Sequence, residues 1–202
     1  MAGVRAAAVL PWYRRSGRPV ADVTVYQRRI PVWARGAYSQ NGEDGILEAV
    51  FAVIGTTNRF VVEFGVEDGR ECNSRHLLEH RGWTGLRMDG RTPEPGSDIR
   101  QEFITAENVE ELFAKYGVPE RPDLMVIDID GDDYWVWRAI TRYRPRVVVV
   151  ECNGCRPPRP AVTIPYRADF VWDRTDYVGA SLGALSDLGS SKGYRLIATD
   201  RN

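Results

Sequence analysis

From residue 43 onward the apolar positions follow two periods in turn. Ile46, Leu47, Val50, Phe51, Val53 and Ile54 recur at helical spacing and predict a helix over 43–54, stopped by Gly55. Residues 59–64 are a short apolar run closed by Gly65, which predicts a strand. The two signatures then repeat. Helices are predicted over 73–80, 106–116 and 133–141. Strands are predicted over 84–88, near 99–104, over 124–129 and over 147–150, the most apolar of all. A Pro-, Arg- and aromatic-rich stretch at 154–176 reads as a long loop, of a kind that often carries function. A helix over 180–192 and a last strand over 194–198 follow.

These strands lack strict polar alternation, so both of their faces are buried. Their alternation with helices predicts an α/β fold, a mostly parallel sheet with helices on each side. Residues 1–36 show no long apolar period and carry Pro11, Pro19 and Pro31 with arginine pairs at 14–15 and 28–29; they read as an irregular arm ahead of a 37–202 domain. No internal repeat stands out.

The 202 residues suit one domain with its own core. With 27 Lys+Arg against 28 Asp+Glu, the net charge of −1 argues against a polybasic surface for nucleic acid or an anionic membrane. No apolar run reaches membrane-spanning length, and Ala6–Leu10 is too short for a signal-peptide core, which predicts a cytoplasmic protein. All basic residues but Lys115 and Lys192 are arginine, a bias expected first from a G+C-rich genome. Cys72, Cys152 and Cys155 make no disulfide framework, and Cys152-Asn-Gly-Cys155 is only half of a zinc ribbon.

In open α/β sheets, ligands bind beyond the carboxyl ends of the strands. The segments there are Glu63-Phe-Gly-Val-Glu-Asp-Gly69, Asp89-Gly90, Asp128-Ile-Asp-Gly-Asp-Asp133 and Glu151-Cys-Asn153. Gly65 would let the backbone approach a ligand, and Asp89 could accept both ribose hydroxyls of an adenosine. This turn lacks the pyrophosphate fingerprint, so the pair favours S-adenosylmethionine over NAD. The 128–133 cluster is no EF-hand: Gly131 is misplaced and Ala139 stands at the twelfth position. Asp132 or Asp133 reads as a helix N-cap. Asp128, Asp130, Glu151 and Asn153 are candidate oxygen ligands for a Mg²⁺-like ion, and Asp130 or Glu151 a candidate proton acceptor. His76 and His80 lie four residues apart, but without the zinc-protease pattern they read as packed or solvated.

Ser39-Gln-Asn-Gly-Glu-Asp-Gly-Ile-Leu47, Val62-Glu-Phe-Gly65, Gly82-Trp-Thr-Gly-Leu86 with Asp89-Gly90, and Ile127-Asp-Ile-Asp-Gly131 form an ordered set over about residues 38–200. The set resembles the FkbM-like branch of the class I S-adenosylmethionine-dependent methyltransferases, and bacterial proteins of methyltransferase-like type. The resemblance implies a Rossmann-like three-layer α/β/α sandwich with strand order 3-2-1-4-5-7-6. It implies that Glu63, Gly65 and Gly69 line the methionine part of the cofactor, that Asp89 holds the ribose and that Phe103 borders adenine. Asp128 would lie near the sulfonium, with Gln40, Asn41 and Glu43 forming a wall or lid. Asp130, Glu151, Asn153, Trp135 and Tyr177 would face the acceptor. The family usually ends in a hairpin of strands six and seven, whereas this sequence ends just after the sixth predicted strand. The seventh is then either beyond the sequence or absent, and an absent one would expose an edge that favours pairing with a second copy.

The expected activity is methyl transfer from S-adenosylmethionine to an oxygen of a small-molecule acceptor, with Asp128, Asp130 and Glu151 as the catalytic carboxylates. Two alternatives stand beside it: a metal-dependent enzyme of other chemistry on the same fold, and a non-catalytic protein that binds the cofactor or a partner. Arg156, Arg159, Arg167 and Arg174 read as solvated, or as readers of an acidic or phosphorylated acceptor.

Overall fold

The computed structural model describes residues 4–9, 38–39 and 42–199. Its strands are β1 Val4–Val9, β2 Phe60–Phe64, β3 Thr84–Asp89, β4 Arg100–Gln101, β5 Leu124–Ile127, β6 Val147–Cys152 and β7 Arg195–Thr199. Its helices are α1 Glu43–Ile54, α2 Arg75–His80, α3 Val109–Lys115, α4 Asp133–Ala139 and α5 Leu182–Ser191. Between residues 43 and 199 each of these elements falls within or next to a segment predicted from the apolar pattern.

The sheet order is β4-β3-β2-β5-β6-β1-β7. The first five of these strands are parallel, a Rossmann-like core. Successive residues on each strand face opposite layers. Val62, Phe64, Met125, Ile127, Val148 and Val150 pack with α3, α4 and α5. Val61, Leu124, Val126, Val147 and Val149 pack with α1 and α2. Both faces are therefore apolar, and these strands show burial without alternation.

The sheet departs from expectation at the N-terminus. Val4–Val9 is a strand rather than part of an irregular arm, and it runs antiparallel to both β6 and β7. It fills the slot that the resemblance assigns to the family's C-terminal seventh strand. β7 pairs with β1 and does not touch the parallel set. The slot beside β6 is thus closed, and the argument for an exposed edge there lapses. Three alanines in a six-residue run carry little strand propensity, so the run had no local signal; two flanking strands supply its partners.

The chain runs outward through β2, β3 and β4, then crosses back to start β5 on the other side of β2. This reversal between β2 and β5 is where an open α/β sheet leaves a crevice at its carboxyl edge. Among the described residues no helix is long and apolar enough to cross a membrane.

Candidate functional site

Strand register sets the site. Phe64 pairs with Met88 and with Ile127, and Ile127 with Val150. The next residues, Asp89, Gly65, Asp128 and Glu151, therefore stand in one row along the carboxyl edge. Counting by twos along β2, β5 and β6 carries the α1/α2 face to Glu63, Asp128 and Glu151.

On the β2–β3 side, the polar groups are taken up by the chain itself. Glu63 is 2% exposed. One of its oxygens accepts Asn73 N–H at 2.8 Å and Asn73 Nδ2 at 3.3 Å; the other accepts Ser74 N–H at 2.9 Å and the Ser74 hydroxyl. It thereby folds the 65–74 turn onto the start of α2. Asp89 accepts Glu67 N–H at 2.7 Å on one oxygen and Arg91 N–H at 2.8 Å on the other. Gly65 has φ +80°, and a Cβ there would lie 1.5 Å from the Asp128 carbonyl oxygen. The approach that demands glycine is thus between two strand ends. Gly69, also at φ +80°, faces Ile99 and Arg87 rather than the cavity. Phe103 is 52% exposed and lies against Gly90, away from the cavity wall. Glu43 is buried in the first turn of α1, outside that wall as well. Gln40 and Asn41 lie outside the described residues.

On the β5–β6 side a cavity of about 540 Å³ opens. Asp128, Asp130 and Glu151 line it, and one carboxylate oxygen from each lies within 4.8 Å of the others. The loop that carries the first two is shaped by Asp133, whose oxygens accept Ile129 N–H at 2.8 Å and Gly131 N–H at 3.0 Å. Asp130 takes φ +55° in that loop. Asp132 holds the N-cap position of α4, but its side chain makes no cap bond. Burial pushes its carboxyl up to about 6, the Asp133 and Glu107 charges adding to the rise and the Arg167 N–H opposing it.

The segment after β6 closes the cavity's far wall with Trp172, Thr175, Asp176, Val178 and Gly179. Asn153 fastens this segment. Its amide N–H groups donate to the carbonyls of Asp176 at 3.0 Å and Val178 at 2.9 Å, and its oxygen accepts Cys155 N–H at 2.9 Å. Asn153 lines the cavity as expected, but its amide serves the loop rather than an ion or acceptor. Trp135 and Tyr177 stand outside the wall. The Trp135 indole donates to the Ile164 carbonyl at 2.8 Å, and Tyr177 is 55% exposed. Both expectations rested on proximity in sequence to the acidic loop or the last helix, which does not fix a side chain's direction.

Arg70, Glu71, Cys72, Trp172, Thr175 and Asp176 enter the wall without having been singled out as ligand-facing. The length and aromatic content of the 154–176 loop was the only hint, and no period predicts which of its residues turn inward. All three cysteines reach the wall, and none is in a disulfide. Burial, with the Glu63 charge, pushes the Cys72 thiol up to about 12, so it stays protonated. His76 bonds Glu48 at 2.9 Å and His80 bonds the Tyr38 hydroxyl at 2.8 Å, so the pair is packed as expected rather than poised for a metal.

The three clustered carboxylates are an all-oxygen set, suited to a hard cation such as Mg²⁺ rather than to zinc. No protein-family model matches the chain, and neither a curated protein nor a solved structure matches it.

Proposed function

We propose that the protein transfers the methyl group of S-adenosylmethionine to a hydroxyl oxygen of a small acceptor. The supporting observation is the charge of the cavity: eight lining residues carry carboxylates and one, Arg70, a guanidinium. Such a wall repels the pyrophosphate of a dinucleotide and attracts a sulfonium and an α-ammonium. The position at the strand-order reversal agrees with this reading. The turn from Gly65 to Asn73 would hold the methionine part. Asp89 keeps carboxylate lone pairs beyond its two backbone bonds with which to accept ribose hydroxyls. When bound, the cofactor supplies a methyl carbon whose bond to sulfur breaks, the pair staying on sulfur, as the bond to the acceptor oxygen forms. The chain's own part is alignment and proton removal: Asp130 or Glu151 takes the hydroxyl proton, and the 172–179 segment keeps water out.

Calorimetry with S-adenosylmethionine and with NAD tests the cofactor. The sulfonium compound is expected to bind and NAD not to; absence of S-adenosylmethionine binding at millimolar concentration overturns the reading.

A second reading has one specific observation behind it, the approach of Asp128, Asp130 and Glu151 to within 4.8 Å. Three like charges this close call for a cation, and Mg²⁺ held there would lower the pKa of an acceptor hydroxyl or of water. Activity lost with chelator and restored by Mg²⁺, with no methylated product formed, would move the protein to metal-dependent chemistry.

A further inference from the structure

The four arginines of the late loop stay out of the cavity. Arg159 pairs with Asp187 through two bonds at 2.7 and 2.8 Å, and Arg167 with Asp169 at 3.4 Å. The one guanidinium in the wall, Arg70, belongs to the β2 side and pairs with Asp68 at 3.4 Å. No cation of this chain therefore stands on the acceptor side to meet a phosphate or carboxylate substrate, which sets aside the acidic acceptor considered from the sequence. That side instead combines carboxylates with an aromatic ring. Trp172 is half-buried in the wall, and its indole N–H is committed to the Thr175 carbonyl at 2.8 Å. The bond fixes the ring edge within the loop, and the indole's remaining means of recognition is its π face, which prefers cations.

We infer that the acceptor carries an ammonium group, received by the wall that Asp130, Glu151, Asp176 and Trp172 form. The inference rests on the methyl-transfer reading of this cavity and narrows its substrate to small hydroxylated amines. The ammonium is the anchor and a hydroxyl the reacting group. Acylation of the amine removes the charge and with it the recognition, while adding a phosphate brings repulsion. The charge of the wall thus selects by sign, and Trp172 selects organic cations over strongly hydrated ones.

Ethanolamine is the smallest probe with both groups. The measurement is the indole N–H resonance of Trp172, identified by its disappearance in Trp172→Phe, during titration with ethanolamine, N-acetylethanolamine and O-phosphoethanolamine. Ethanolamine is expected to shift the resonance saturably and the other two not to. Glu151→Gln and Asp176→Asn are each expected to weaken the response about tenfold, the second being an exposed residue whose replacement leaves folding untouched. Equal shifts with the neutral analogue, a stronger response to the phosphate, or no response to ethanolamine overturns the inference. So does Mg²⁺ alone, if it shifts the same resonance and abolishes the ethanolamine response. S-adenosylmethionine is titrated into the same sample. Its binding without an ethanolamine response sinks the ammonium acceptor alone, and an ethanolamine response without its binding sinks the methyl-transfer reading alone.

Discussion

Two stretches of the same sheet edge use carboxylates in opposite ways. At the ends of β2 and β3, Glu63 and Asp89 are buried, and their oxygens accept backbone N–H groups of the turns beside them. At the ends of β5 and β6, Asp128, Asp130 and Glu151 crowd their oxygens together at a cavity. A carboxylate surrounded by unsatisfied N–H groups lowers the cost of folding a tight turn. Carboxylates gathered around a void repel one another and await a cation or a proton. The residue type and the position past a strand are shared; the number of nearby orphan donors separates structure from chemistry.

The sharpest way to break this contrast is at Gly65, where the two regions meet. Gly65→Ala drives a Cβ into the Asp128 carbonyl at a left-handed φ. It is expected to cost about 4 kcal/mol or more, or to prevent folding, as read by urea denaturation. The next test compares the two regions directly. Glu63→Ala strands four donors and should cost about 3 kcal/mol of stability. Glu151→Gln should leave stability within about 0.5 kcal/mol of the parent while lowering turnover about 10²- to 10⁴-fold. If the two variants exchange behaviours, the division of labour is wrong.

A smaller effect concerns Asp132, between the loop of Asp130 and α4. Its carboxyl is raised in the folded chain from 3.8 to about 6. Its stabilising contribution is therefore fully present below about pH 4 and is lost as pH rises through about 6. Asp132→Asn, which cannot ionise, should flatten that fall, seen as urea midpoints that change less between about pH 4 and about pH 7. An unchanged slope would mean the buried carboxyl is not the group that titrates.

Legibility in the sequence followed the range of the forces involved. Between residues 43 and 199 the elements were readable because burial on a helix face or a two-sided strand imposes a period of its own. Asp128, Asp130 and Glu151 were readable as a set because carboxylates at the ends of apolar strands are not required by burial. Glu63 and Asp89 looked the same in sequence, and nothing local says that Asn73, Ser74, Glu67 and Arg91 return to satisfy them. Trp135 and Tyr177 were attractive by type, but a loop's hydrogen bonds turned one toward Ile164 and left the other exposed. Trp172, Thr175 and Asp176 carry no periodic signal, and Asn153 brings them in from a distance of two dozen residues.

The amino-acid sequence by itself determined the α/β alternation, the two-sided burial of the parallel strands and the acidic character of their ends, since each depends on neighbours within a few residues. Tertiary structure alone decided that Val4–Val9 enters the sheet between β6 and β7. It alone decided which carboxylates fold turns and which meet at the cavity. Both outcomes depend on which distant backbone groups arrive unpaired, and that is settled only when the strands are in register.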